Sequence, residues 1–135
     1  MKYEDITGKI IGAAMKVHRT LGCGFPEVLY QRALEIEFTN QAIPFVREFE
    51  LPVFYDGKHI GSRRADFLIE NKVSLELKAV TELSNGHLAQ ALNYLEAFNL
   101  EIGLLVNFGA TSLQYKRLIN NKYKSDLKSL NPFNH

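Results

Sequence analysis

Apolar positions between residues 5 and 20 recur at Ile6, Ile10, Ala13/Ala14, Val17 and Leu21. That spacing predicts an amphipathic helix, with Asp5 or Thr7 as its N-cap. Gly22 and Gly24 break it. A second helix is predicted from Phe25–Pro26 to about Asn40, with Val28/Leu29, Ala33, Ile36 and Phe38 as its apolar set. The texture then changes. Residues 45–55 (FVREFELPVFY) alternate and are rich in aromatic and branched side chains, which predicts a strand. Pro52 points to an edge strand or a bulge. Asp56–Gly57 is a hairpin turn signal. Strands follow at about 59–69 and 73–79, then a helix at about 84–99 with Leu88, Ala91/Leu92, Leu95 and Phe98. Residues 101–108 (EIGLLVNF) are almost unbroken apolar sequence, so this strand is expected to be buried on both faces. A last short strand is expected near 112–118. The order ααβββαβ(β) predicts an α/β (α+β) fold, a mixed sheet with helices on both sides.

No repeat or linker interrupts the 135 residues, so a single domain over residues 1–135 is expected. Hydrophobic content of 46% excludes disorder over most of the length. One cysteine, Cys23, excludes an internal disulfide framework and a cysteine-based zinc site, and suits a reducing compartment. The opening MKYEDITGKI has no apolar leader, and no apolar run approaches the length of a membrane span. A cytoplasmic protein without membrane association is expected. Net charge is only +1, so overall charge makes no case for nucleic acid. Five cations, Lys116, Arg117, Lys122, Lys124 and Lys128, against Asp126 alone give the C-terminal end a local positive bias. Such an end can touch phosphates or simply be solvated.

Candidate chemistry lies on the second and third strands. Asp66 interrupts a strand that otherwise carries Ala65, Phe67 and Ile69. Glu76 and Lys78 are two residues apart and share one face, opposite Val73, Leu75 and Leu77. A two-residue turn at Asn71–Lys72 would turn Asp66 away from Glu76. A three-residue loop, Glu70-Asn71-Lys72, or a bulge would pair Ile69 with Val73 and set Asp66 across from Glu76. Two adjacent carboxylates repel, and a hard divalent cation relieves the repulsion. A neighbouring lysine can orient water or stabilise charge on a phosphate. The alternative is a solvated hairpin face with cross-strand ion pairs.

The set Asp66…Glu76-x-Lys78 resembles the signature of the PD-(D/E)XK nuclease superfamily, with Ala65 in the place of the proline. Gly24-Phe-Pro-Glu27-Val-Leu-Tyr30 resembles the motif of the GxxExxY family, a bacterial and archaeal branch of that superfamily. Gln90-Ala-Leu-Asn-Tyr94 is similar to the QxxxY element of RecB-like nucleases. The resemblance spans roughly residues 4–118. It implies a restriction-endonuclease-like αβββαβ core and Mg²⁺- or Mn²⁺-dependent phosphodiester hydrolysis. It implies that Glu27, Asp66, Glu76 and the Leu77 carbonyl hold the metal and that Lys78 positions water. Gln90 is implied at the active site, and Tyr94 at the site or the substrate backbone. The partner so implied is nucleic acid, DNA before RNA.

Other readings stay open beside it. Glu27 is also a favourable charge in a first helical turn, and Tyr30 is either substrate-facing or a core aromatic. Arg64 shares parity with Asp66, so it binds a phosphate or pairs with a carboxylate. His87 precedes Gln90 by one helical turn and is a candidate phosphate contact. His18 is read as structural or as reaching the site. At the level of the whole protein, the alternatives are an inactive nuclease-fold module that binds nucleic acid or a partner, and a homodimer formed through an edge strand at 45–55.

Overall fold

The computed structural model describes residues 3–125. Two helices come first, α1 (Glu4–Leu21) and α2 (Glu27–Asn40). Strands β1 (Phe45–Tyr55), β2 (Lys58–Ile69) and β3 (Val73–Lys78) follow, then α3 (Asn85–Phe98), β4 (Ile102–Asn107) and β5 (Gln114–Ile119). The strands form one sheet in the order β1-β2-β3-β4-β5. β3 and β4 run parallel and are joined through α3, and the other neighbours are antiparallel. Pro52 lies on edge strand β1, where its missing N–H is harmless. Every residue of β4 is buried, as an apolar run covered on both faces should be.

The two faces bury separate cores. Ile6, Ile10, Ala13, Ala14 and Val17 of α1 and Tyr30, Leu34 and Phe38 of α2 pack on Phe67, Val73, Leu75, Leu77, Leu104 and Val106. On the opposite face, Tyr94, Leu95 and Phe98 of α3 pack on Phe49, Leu51, Ala65 and Leu68. Helices therefore cover both sides of a mixed sheet, as the element order predicts.

Three expectations are corrected. Neither Asp5 nor Thr7 caps α1, because the helix already begins at Glu4. The Thr7 hydroxyl instead donates to the Glu4 carbonyl at 3.1 Å. α2 buries Tyr30, Gln31, Leu34 and Phe38, and leaves Val28, Leu29 and Ile36 exposed. Its apolar residues surround the whole helix, so spacing does not decide which stripe faces the sheet. At the C-terminal end, Arg117 donates to Thr7 Oγ1 at 2.6 Å and Lys122 pairs with Glu96 at 3.0 Å, so these two cations are engaged with the protein itself. Asp126, Lys128 and His135 lie outside the described residues.

Candidate active site

The connection between β2 and β3 sets the site. Glu70 and Asn71 both adopt left-handed backbone, with φ of 51° and 60°. The Lys72 N–H donates to the Ile69 carbonyl at 3.0 Å and closes the three-residue loop. Ile69 pairs with Val73, Leu68 with Ser74 and Phe67 with Leu75. One further step along this register points Asp66 toward Glu76. Of the two connections that would let the carboxylates meet, the odd loop or a bulge, the chain uses the odd loop.

The ladder stops at that step. Phe67 faces the α1/α2 core, whereas Ala65, two residues away, faces the α3 core. β1 changes faces at the same level: Phe45 packs with the first core and Phe49 with the second. Between the pairs Arg47–Phe67 and Phe49–Ala65, Glu48 takes a left-handed φ of 55°. The hairpin thus twists over at Glu48 and Asp66 and leaves β3. The Leu77 N–H, which loses a strand partner there, donates to Asp66 Oδ2 at 2.7 Å. That bond fixes the carboxylate beside β3 and satisfies a backbone donor that would otherwise be unpaired.

Val73, Leu75 and Leu77 face the α1/α2 core, so Glu76 and Lys78 project to the α3 side. There, a cleft of about 330 Å³ is lined by Arg63, Arg64, Glu76, Lys78, His87, Gln90, Ala91 and Leu105. α3 supplies its far wall. Ser84 caps the helix: its hydroxyl accepts the His87 N–H at 3.3 Å, and the Ser84 N–H donates to His87 Nδ1 at 3.0 Å. An Nδ1 that accepts leaves the proton of the neutral ring on Nε2. Arg63 ties β2 to this wall, donating to the Gln90 carbonyl at 2.9 Å and to Asn93 Oδ1 at 3.1 Å.

The electrostatics are those of crowded acids. Burial, then the Asp66 charge, push the Glu76 carboxyl up to about 8, and Lys78 opposes them only in part. Burial also raises Asp66, against the Leu77 N–H, Lys78 and Arg64. Glu27, in the first turn of α2, is raised by burial and by Asp66. Among the described residues no three His, Cys, Asp or Glu side chains already form a closed metal-ligating set. The donors nevertheless suit a hard divalent cation: oxygen ligands only, mutually repelling and short of positive charge.

Five of the sequence candidates, Arg64, Glu76, Lys78, His87 and Gln90, meet at this cleft. Asp66 adjoins it through Glu76, and Glu27 is raised by the Asp66 charge and itself acts on Glu76. Two candidates are placed differently. Tyr30 is fully buried and stacks on Phe108 at 4.6 Å between ring centroids. Its hydroxyl donates to the Gly22 carbonyl at 2.6 Å and accepts the Phe25 N–H at 3.2 Å, so it braces the α1–α2 turn and is closed to substrate. Tyr94 is also fully buried, stacked on Phe98 at 4.3 Å. Its hydroxyl, near the Ala65 backbone and the Glu76 charge, has no hydrogen bond of full geometry. Burial pushes its ionisation far up. It lies behind the carboxylates rather than in the cleft. His18 is structural, with Nε2 2.9 Å from the Ala110 carbonyl.

Two contributors escape the sequence reading. Arg63 lines the cleft although strand parity opposes it to Arg64, because the hairpin twists at this level. Asn107, fully buried at the end of β4, holds the segment after Lys78: its Oδ1 accepts the Val80 N–H at 2.9 Å and its Nδ2 donates to the Val80 carbonyl at 2.8 Å. A lone amide in an apolar run is the signal that marks it.

Comparison with known proteins agrees with this architecture. The family model described as PD-(D/E)XK nuclease superfamily matches residues 4–118. No curated protein sequence matches the chain. Among solved structures, the crystal structure of SSO0001 is similar in fold, with a TM-score of 0.57 and 22% identity over 70% of this chain. The chain spans 50% of that protein's length.

Proposed function

The chain belongs to the PD-(D/E)XK nuclease superfamily, and on that premise we propose that it is a divalent-metal-dependent phosphodiesterase acting on nucleic acid. The observation that carries the reading is that Glu76 and Lys78 share one cleft and that the three-residue loop brings Asp66 beside Glu76. Glu27, Asp66, Glu76 and the Leu77 carbonyl would hold Mg²⁺ or Mn²⁺. When bound, the cation neutralises the carboxylates and stabilises negative charge on the phosphate.

The chain's own residues do the rest. Asp66 is held against β3 by the Leu77 amide, so its orientation is set before any ligand arrives. Lys78 forms no ion pair within 4 Å among the described residues, and its ammonium is free to orient water and meet charge developing at phosphorus. Arg64 and the Nε2–H of His87 supply donors for phosphate oxygens from opposite walls, and the Gln90 amide adds a donor from the same helix as His87. DNA is the first substrate to test, and RNA the second.

The test is cleavage of labelled DNA and RNA in Mn²⁺, comparing the protein with Asp66→Asn, Glu76→Gln and Lys78→Met. Cleavage that each substitution lowers at least a hundredfold is expected. Mn²⁺-independent activity, or activity that Asp66→Asn leaves intact, would overturn the reading. So would metal-free, salt-dependent binding of nucleic acid without any cleavage.

A further inference from the structure

We propose that the outer half of the β1–β2 hairpin is a nucleic-acid-binding arm that holds a strand with unpaired bases leading into the cleft, which makes single-stranded or frayed nucleic acid the preferred substrate class. The inference rests on the reading above and narrows its substrate.

The arm begins where the hairpin twists away from β3. β2 pairs with β3 only over Phe67–Ile69. From Lys58 to Arg64, β2 has β1 on one side and, among the described residues, no strand on the other. An open edge presents unpaired N–H groups, and such edges are ordinarily protected by charge. Here the charge has one sign. Between residues 58 and 64, β2 carries Lys58, His59, Arg63 and Arg64 and no acid. Arg63 and Arg64 at the base of the arm line the catalytic cleft, so this cationic strand is continuous with it. At about 3.3 Å per residue, Lys58 lies about 20 Å from Arg64, close to the length of six stacked nucleotides.

The tip adds a second chemistry. Tyr55 and Phe54 are 73% and 58% exposed, and Ile60 is 64% exposed. Phe54 leans on its cross-strand partner His59 at 5.6 Å, which explains Phe54 by hairpin stability alone. Tyr55, paired with Lys58 at the Asp56–Gly57 turn, has no such ring partner among the described residues. An exposed tyrosine next to a lysine suits a base stacked over its own phosphate. A paired duplex hides its base faces, so this contact selects unpaired bases. The Val53/Phe54 irregularity adds local twist that sets the tip apart from the rest of the strand.

The test is fluorescence anisotropy at low salt in EDTA, using a fluorescein-labelled mixed-sequence DNA strand and the duplex made from it. The wild-type protein should bind the single strand more tightly. Phe54→Ser/Tyr55→Ser should lose at least about tenfold in single-strand affinity, as expected of one stacked base. Both positions are exposed at a turn, and circular dichroism checks that the variant is folded. Lys58→Gln should weaken binding and reduce its salt dependence. Equal affinity for strand and duplex, unchanged binding by the double variant, or no binding at all would overturn the proposal. So would a wild-type dimer that the double variant converts to monomer, because the tip would then join two copies of the chain. Arm-dependent binding without cleavage in Mn²⁺ would sink the enzymatic reading alone. Cleavage indifferent to the arm would sink this one alone.

Discussion

Replacing Glu76 by glutamine should stabilise the metal-free protein at neutral pH. Glu76 is mostly buried beside Asp66, and its proton affinity is raised from the ordinary carboxyl value of 4.5 to about 8. A carboxyl whose folded value lies above its unfolded one binds the proton more tightly in the folded state. Its contribution to stability is whole below the unfolded value and is lost as pH rises through the folded one. Each pH unit between them is worth about 1.4 kcal/mol. From about pH 5 to about pH 7 the metal-free protein should therefore lose about 3 kcal/mol through this group, a large part of an ordinary domain's 5–15 kcal/mol. Glutamine keeps the shape, carries no charge and can donate to Asp66, as the protonated acid does. Urea denaturation in EDTA at both pH values measures the difference. Wild type and Glu76→Gln should agree within about 1 kcal/mol near pH 5, and the variant should lead by about 3 kcal/mol near pH 7. Mn²⁺ should reverse that order, because only the wild type can offer the carboxylate. A variant equal to or weaker than wild type near pH 7 in EDTA would show that the site is not starved of positive charge.

Four further outcomes are expected. Asp66→Asn should fold, since the amide oxygen can still accept the Leu77 N–H, and should lose the melting-temperature gain that Mn²⁺ gives the wild type. Tyr30→Phe should lower stability by about 1–3 kcal/mol in chemical denaturation by removing both hydroxyl bonds at the α1–α2 turn, while any cleavage rate per folded molecule stays within about twofold. Gly109→Ala would drive a Cβ into the Val80 carbonyl oxygen and the Ala79 carbonyl carbon, which is backbone that cannot step aside. It should cost at least about 2 kcal/mol in denaturant titration and shift the strand end that carries Lys78. Asn107→Ala should cost about 1–3 kcal/mol by the same measurement, because it leaves the half-buried Val80 N–H and carbonyl without their partner.

The amino-acid sequence determined the elements and their order. Periodicity of 3.6 in α1 and α3 and alternation in β1 each match one local structure, and the short length of the apolar run in β4 favours a strand over a helix. The sequence also identified the acids and the lysine, and reduced their meeting to a question of loop length. Tertiary structure answered that question with left-handed residues at Glu70 and Asn71, a conformation asparagine favours and glutamate rarely adopts. It also decided which stripe of α2 faces inward, since a helix apolar all round can dock by several faces. Tyr30 and Tyr94 went to the two cores because a large ring gains more from burial than its hydroxyl loses when bonded or left in a tight pocket. The face switch at Glu48 and Asp66 lies beyond any strand pattern, which assumes unbroken alternation. It arises because one hairpin must cover α1 and α2 with its inner half and α3 with its outer half. That same twist ends the β2–β3 ladder, frees the Leu77 amide for Asp66 and swings Arg63 and Arg64 into one cleft.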